Sequence, residues 1–306
     1  MKKIFSLILS IMAVMTLSAQ TTTSSINGKV TDANGEALVG ATIIAVHTPS
    51  GTEYGTVANS DGRYNLQGMR TGGPYKVTIS FVGYEAVELS GITLSLGEPR
   101  TFDVQLKDTQ EIDAVVVIST ANDRFNANKT GAGANFNRGI LDNLPTTDRS
   151  IADIARLTPM ASLTKSSKGG ISFAGVNNRY NSFQIDGTVS NDVFGLTASG
   201  TNGGQTEANP VSMETIEEVQ VVIAPYDVRQ SGFTGGGINA VTKSGTNSYK
   251  GSAYTYFRNQ DLVGKGATGQ AMSDQTTQTY GATFGGPIVK DKLFFFVSGE
   301  YYNNKT

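Results

Sequence analysis

The last sixty residues constrain this chain most. Between Asn247 and Thr306 stand 11 of its 26 aromatic residues, against 15 in the preceding 246, a threefold enrichment. Tyr249, Gly251, Ala253, Thr255 and Phe257 interleave there with Lys250, Ser252, Tyr254, Tyr256 and Arg258, and the runs 278–286 and 293–302 repeat the habit. Segments of ~10 residues with weak alternation and aromatic bands are how membrane β-strands read. The connection 287–292 (Pro-Ile-Val-Lys-Asp-Lys) is a tight polar turn and 259–277 a long polar loop, the short-and-long rhythm of an outer-membrane hairpin. Sixty residues supply three such strands, whereas the smallest closed barrel needs about 8. An unpaired barrel edge would hold N–H and C=O groups in lipid at several kcal/mol each. The expectation is an incomplete barrel, a fragment of a longer protein; strands of a soluble sandwich are the competing reading.

Composition removes whole classes of chemistry. The chain has 306 residues, about two domains by the usual prior. Its 36 glycines are about 12% of the residues against a typical ~7%, which with plentiful Leu, Ile, Val and Phe points to turns and close-packed strands. With no Cys and one histidine, His47, there is no structural zinc site, no thiol nucleophile and no Ser-His relay to propose. The chain is expected to be no enzyme and to need no metal or cofactor. Net charge is -2, which argues against a nucleic-acid groove.

The first residues read as an address. Lys2 and Lys3 precede an apolar run over 4–17, and Leu17-Ser18-Ala19 ends in a small residue before Gln20. This is the layout of a secretory signal peptide over 1–19, and the run is short of the roughly 20 residues a spanning helix needs.

From 25 to 107, short alternating runs (26–31, 41–46, 55–58, 64–67, 75–82, 92–96 and 101–106) are separated by turn signals such as Asn34-Gly35, Asp61-Gly62 and Gly72-Gly73-Pro74. Seven short strands without helical periodicity point to a Greek-key sandwich. Two tempting sites fail on spacing. An EF-hand register around Asn59 and Asp61 would require Val57 and Gly68 as calcium ligands, so the segment is a turn. The Gly35 to Gly40 interval of a phosphate loop is followed by Ala41-Thr42 where Lys-Ser/Thr is needed. His47 reads as a polar residue at a strand end.

After Lys107 comes a polar acidic stretch, then the β-branched run 114–118, then a polar linker to Gly133. Such a run is either a last sandwich or inter-domain strand, or a segment that donates itself to the sheet edge of another protein. The pattern over 135–245 is mixed α and β. Ile151, Ile154, Ala155 and Leu157 stand at helical spacing, with Thr147 or Asp148 available as N-cap. Runs at 171–174, 182–185, 218–224 and 238–242 read as strands, with Asp186-Gly187 as a turn. The stretch 190–210 is long, polar and rich in Gly, Asn and Thr, with Phe194 and Leu196 its only large apolar residues. A loop of that length in a compact domain is usually functional or disordered.

Two resemblances bring these pieces together. GKVTDANGEALVGATIIAV, GTVANSDGRYNL and YKVTISFVGYE resemble the carboxypeptidase regulatory-like family, a transthyretin-like sandwich found on exported Bacteroidetes proteins. LPTTDRSIADIARLTP, GGISFAGVNNRYNSFQIDG and METIEEVQVVIAPYDVRQSGFTGGGINAVTKSGTNSYKGSAYTYFRNQ resemble the plug domain and first barrel strands of TonB-dependent outer-membrane receptors, specifically the Oar-like branch.

These resemblances imply a mainly β protein: a Greek-key sandwich over 25–107, a TonB-box segment and linker over 112–134, an α/β plug domain over 135–245, and the first strands of an incomplete transmembrane β-barrel over 247–306. The TonB box would be Asp113, Ala114, Val115, Val116, Val117, Ile118 and Ser119, departing from the usual box in Ala114 and Ile118, where Thr is common. By the same resemblance the protein sits in the outer membrane of a Gram-negative, Bacteroidetes-like cell, with sandwich and plug facing the periplasm. It imports a scarce nutrient with energy relayed by TonB of the inner-membrane complex. Arg179, Tyr180, Asn181, Asn191, Asp192 and Phe194 are the substrate-facing candidates. The nutrient itself and a companion surface lipoprotein are left open. A surface structural or adhesion protein is the alternative reading, and a signalling receptor is disfavoured because 25–107 shows only strands.

Overall fold

The computed structural model describes residues 22–108, 132–146, 149–163, 170–192, 194–195, 197, 199–203, 209–225, 230, 232–265, 269–270 and 273–305. The signal-peptide segment and the TonB-box segment of the sequence reading lie outside them.

The first unit is a two-layer sandwich of eight strands: β1 (Ser24–Thr31), β2 (Thr42–His47), β3 (Thr52–Val57), β4 (Arg63–Met69), β5 (Gly72–Ser80), β6 (Val87–Leu94), β7 (Pro99–Thr101) and β8 (Val104–Gln105). One sheet runs β3-β2-β5-β6; the other runs β4-β1-β7, with β8 also on β1. Alternation sends Ile43, Ala45 and His47 of β2, and Tyr75, Val77 and Ile79 of β5, into a core completed by Ile26, Val30, Leu66, Leu89 and Ile92. The segment weighed as a calcium loop is a side-chain-closed turn: Asn59 Oδ1 accepts from the amides of Asp61 (3.0 Å) and Arg63 (2.9 Å). Gly62 there has φ +73°, and a Cβ would stand 2.5 Å from the Val30 carbonyl oxygen.

Two strands differ from expectation for local reasons. The run 101–106 is split into β7 and β8 because the Asp103 carboxylate accepts the Lys29 amide at 2.8 Å, taking a donor that a ladder carbonyl would take. The strand expected from Ile92 begins at Val87, since Gly91 (φ +74°) is absorbed as a bulge, with Tyr75 opposite Ile92 and Val77 opposite Leu89.

The central unit comprises β9 (Ala132–Asn137), α1 (Arg138–Asn143), α2 (Ile151–Ala155), a hairpin of β10 (Ala161–Leu163) and β11 (Ile171–Phe173), then β12 (Ser182–Ile185), β13 (Thr188–Val189), β14 (Ile216–Ile223) and β15 (Gly236–Thr242). Its sheet order is β13-β12-β15-β14-β9. Val219, Val221, Ile238, Ala240, Phe183 and Phe136 form one face of the sheet, which packs against Leu141, Ile151, Ile154 and Phe173. At Gly236 a Cβ would fall inside the Phe173 ring, so the glycine is what lets that ring lie against the sheet. The helix expected over 148–157 is confined to Ile151–Ala155, because Arg149 is left-handed (φ 48°) and Ser150 Oγ accepts the Asp153 amide at 3.3 Å. Ser150 therefore caps it; the cap candidates Thr147 and Asp148 lie outside the described residues. Helix α1 had no sequence signal: it is one capped turn, Asn137 Oδ1 accepting from Ile140 N at 3.2 Å, and only its Leu141 is buried.

The third unit is an antiparallel meander of β16 (Lys250–Asn259), β17 (Thr276–Val289) and β18 (Leu293–Lys305), with a one-turn helix, α3 (Gln260–Val263), in the long connection. The polar turn is tighter than expected. β17 runs through Pro287 to Val289, the proline being tolerated where the register with β18 slips.

His47 gives the sandwich a signed pH dependence. It is 3% exposed, its Nδ1 shares a 2.6 Å hydrogen bond with Ser50 Oγ, and its ring lies 4.9 Å from that of Tyr75. Burial, with the Arg70 charge adding to it, pushes its pKa down to about 4 from 6.5. The unfolded chain binds the proton first, so this contribution is whole above pH 6.5 and is lost as pH falls from 6.5 through 4, up to about 3 kcal/mol. Urea unfolding of residues 22–108 is expected to show that slope between pH 6.5 and 4, and the His47→Gln variant is expected to lose it.

Candidate functional site

The meander has two chemically distinct faces. Register places Tyr254 opposite Gly281 and Gly281 opposite Glu300, Ser252 opposite Thr283 and Thr283 opposite Ser298. This face carries Ser252, Tyr254, Tyr256, Thr283, Ser298 and Glu300, and it meets the central unit: Tyr254 OH lies 2.8 Å from Ser212 Oγ and donates to Glu300 Oε2 at 2.8 Å, and Thr215 Oγ1 bonds Ser298 Oγ at 3.0 Å. The other face carries Tyr249, Phe284, Phe295 and Leu293 near the short turn and Phe257, Tyr280 and Tyr301 near the long loop, with Ala253, Ala282, Gly299 and Val297 between. Phe284, Tyr280, Val297 and Tyr301 are all more than half exposed. Two aromatic bands flanking a smooth apolar strip are the lipid-facing pattern of a barrel wall.

An ionic cluster sits where the central unit meets this wall. Glu214 accepts from Arg138 Nη2 at 2.7 Å and pairs with Arg149. Arg138 also pairs with Asp142 and donates Nη1 to the Met213 and Ile216 carbonyls, at 3.0 and 3.1 Å. The Arg149 guanidinium lies 4.0 Å over the ring of Tyr256 on the meander. Sequence reading passed over these residues. The hint was Glu214 beside Ser212, a cap and an acid at the entry to a strand, but its two arginines lie 65 and 76 positions upstream.

The central sheet has two ends. Thr242 of β15, the Asp186-Gly187 turn and Asn137 of β9 stand at one; Gly236, Ile223, Ser182 and Ala132 stand at the other. Asp186 (φ 47°) belongs to the first: its carboxylate accepts the Thr242 amide at 2.8 Å and the Thr242 hydroxyl at 2.7 Å, which fixes the turn. The sandwich docks at this same end. The Leu96 amide donates to Glu218 Oε1 (3.0 Å), and the Leu96 carbonyl accepts from Gln220 Nε2 (2.7 Å) and Asn135 Nδ2 (3.2 Å). The Asn247 amide also donates to the Pro49 carbonyl at 2.8 Å.

All six substrate-facing candidates gather at the opposite, distal end. Arg179 and Tyr180 lie in a single 3-10 turn (Asn178–Tyr180) entering β12, and Arg179 Nη2 donates to the Gly195 carbonyl at 3.0 Å, joining the two candidate stretches. The polar side chains are used by backbone. Asn181 Nδ2 donates to the Ile171 carbonyl (2.8 Å) and its Oδ1 accepts the Gly236 amide (3.0 Å). Asn191 Oδ1 accepts the Phe183 amide (2.6 Å), and Asp192 accepts the amides of Phe194 (3.1 Å) and Thr197 (2.6 Å). The two aromatic members face out, Tyr180 at 60% and Phe194 at 82% exposure. Three residues thus build the loop, while Arg179, Tyr180 and Phe194 form its outer surface.

Two known families match parts of the chain. Residues 25–107 match the carboxypeptidase regulatory-like domain and residues 241–306 the outer membrane beta barrel domain. The TonB-dependent transporter Oar of Myxococcus xanthus is 28% identical over 292 residues, covering 89% of this chain and 26% of that protein. The "Probable TonB-dependent siderophore receptor PirA" of Acinetobacter baumannii is 28% identical over 176 residues, covering 54% of this chain and 22% of that one. The crystal structure of the siderophore receptor PirA from A. baumannii superposes with a TM-score of 0.45 at 23% identity, over 57% of this chain and 25% of that one, too low a score to bear on the fold. The chain is a relative of the TonB-dependent receptors, carrying a carboxypeptidase regulatory-like domain and outer-membrane β-barrel strands. It spans about a quarter of the length of the curated relatives it matches. Those relatives are a transporter and a receptor, in agreement with a non-enzymatic chain.

The division of labour in the distal loop is measurable by amide exchange. Asp192→Ala is expected to speed exchange at Phe194 and Thr197 about tenfold, the worth of roughly one hydrogen bond to a charged acceptor. Phe194→Ala is expected to leave both amides unchanged, since that ring holds nothing in place.

Proposed function

We propose that this chain takes part in TonB-dependent import across the outer membrane, with the central unit as the plug of the barrel to which β16–β18 belong. The observation that carries this reading is the two-faced meander: apolar with aromatic bands outside, polar inside apart from Phe294 and Phe296 beside the short turn, and bonded on that inner side to the central unit through Tyr254, Tyr256 and Ser298. Among the described residues β16 and β18 each pair in the sheet with β17, and in lipid the outer edges of such strands require further strands as partners.

In this reading the sandwich and the short turn lie at the periplasmic end and the distal loop at the outer end; the placing of sandwich and distal loop at opposite ends of the central sheet supports it. Arg179, Tyr180 and Phe194 then meet an arriving nutrient with one cation and two aromatic faces, while Asn181, Asn191 and Asp192 hold the loop in shape. Residues 113–119 act as the TonB box, offering a β-branched strand to the periplasmic domain of TonB. Strand addition suits this role, because a ladder of main-chain bonds loaded along its length shares the pull among all of them.

Binding of the full chain to the periplasmic domain of TonB tests the reading. The unaltered chain is expected to bind, and Val116→Pro, which removes a ladder donor, is expected to weaken binding at least about tenfold. Failure of the unaltered chain to bind would remove the box assignment and move the surface-display alternative ahead.

A further inference from the structure

Leu96 is fully buried, yet it belongs to neither the sandwich core nor the core of the central unit. Its peptide groups explain its position. The amide is taken by Glu218, 2% exposed, and the carbonyl by Gln220, 5% exposed, both on β14; the same carbonyl is taken by Asn135 on β9. Asn135 stands directly opposite Gln220 in the β9–β14 ladder, so one sandwich carbonyl spans the seam between the two strands. These side chains lie on the sheet face opposite Val219 and Val221. Gln184, Asn239, Gln220 and Asn135 form a row of amides across that face, in register over four strands. The turn after β6 closes the β9 end of the row.

A second foot stands on the meander. Asn247 Nδ2 donates to Asp291 Oδ1 (2.6 Å), and the Asp291 amide donates back to Asn247 Oδ1 (2.9 Å). The Pro49 carbonyl accepts the Asn247 amide (2.8 Å), and Gly51 approaches Asp291 so closely that a Cβ would overlap the carboxylate. The sandwich therefore holds the central sheet through Leu96 and the β17–β18 turn through Pro49, two contacts made by different loops.

The held strand is the mechanically exposed one. Among the described residues β9 pairs with β14 alone and is the edge of the sheet. Because the two strands are antiparallel, the chain enters β9 at Ala132, opposite Ile223, at the end remote from the sandwich. Tension drawn toward the sandwich end on the chain before Ala132 would double back there and break the ladder one pair at a time. Peeling from Ala132 reaches Asn135 and Gln220 at the fourth pair.

We propose that the sandwich is a clamp on the central sheet: the Leu96 peptide staples edge strand β9 to β14 through Asn135 and Gln220, so that β9 leaves the sheet only after the sandwich has undocked. The direction of the pull rests on the reading of residues 113–119 as the TonB-engaged segment; the staple does not.

Hydrogen exchange on the full chain tests it without any transport assay. Asn135→Ala with Gln220→Ala is expected to speed exchange of the β9 amides about tenfold, the equivalent of roughly one net hydrogen bond, while the β12–β15 pairing keeps its protection. Pro49→Cys with Asn247→Cys supplies the converse, since the chain has no native cysteine and these two backbones are hydrogen-bonded neighbours. The pair is expected to form a disulfide, and the oxidised form to exchange its β9 amides several-fold more slowly than the same protein reduced. Exchange of β9 indifferent to both changes, or a cysteine pair that stays reduced while β12–β15 is protected, would overturn the clamp. Clamp behaviour in a chain that does not bind TonB would remove the import reading and leave the staple standing; TonB binding with β9 indifferent would do the reverse.

Discussion

Buried polar groups must find partners, and in this molecule that rule ties three units together through one strand. β14 is buried almost end to end, yet it carries Glu218 and Gln220 on the face away from its core. Leaving such groups unpaired costs about 1–3 kcal/mol each, and more when the group is charged. The sandwich supplies the missing partners as a peptide rather than as a side chain. Just before the same strand, Glu214 gathers Arg138 and Arg149, and Arg149 carries the connection on to Tyr256 of the meander. Neighbouring stretches of the chain thus address the sandwich, the helix α1 and the barrel wall. A hydrophobic contact could slide; these bonds fix register and orientation.

The meander reaches its two environments by the simplest device available to a strand. A period of two gives one face to lipid and the other to the central unit, and the two faces obey opposite rules. Outside, aromatic rings at each end bracket small and aliphatic residues. Inside, Gly281 leaves room for the Tyr254 ring, which bridges Ser212 of the central unit and Glu300 of β18. One tyrosine therefore joins two strands of the wall and the body packed against it. A one-residue slip would place Glu300 in lipid and Tyr301 among serines, so the register is enforced from both sides.

What could be read from sequence follows from which interactions are local. The sandwich strands and the meander were legible because alternation and turn dipeptides are written in adjacent residues. The break between β7 and β8 was not, since it depends on Asp103 reaching Lys29, 74 positions away. The distal loop was partly legible. Its polar and aromatic residues marked it as unusual, and the structure gathers all six candidates at one end. Which side chains face outward was hidden, because Asn181, Asn191 and Asp192 look like ligands in sequence but are held by backbone groups, from the Phe194 and Thr197 amides just beyond Asp192 to the Gly236 amide, 55 positions from Asn181. Leu96 was illegible in principle. It reads as the apolar end of a strand, and its part is played by an amide and a carbonyl that almost every residue possesses.

The separation of the two ends of the sheet bears on how a pull could be coupled to recognition. The distal loop is anchored through Asn181 to Gly236 and through Ser182 and Phe183 to the start of β15, whose far end is held by Asp186. β15 in turn lies beside β14, which shares its other edge with β9. Loss of β9 would therefore expose one flank of β14 while leaving β12, β15 and the distal loop joined. A load that removes only the edge strand changes the sheet without first dismantling the distal surface proposed to meet a nutrient. The sandwich is positioned to decide when that edge is free, because its Leu96 carbonyl holds Asn135 and Gln220 together at the end from which the force would come.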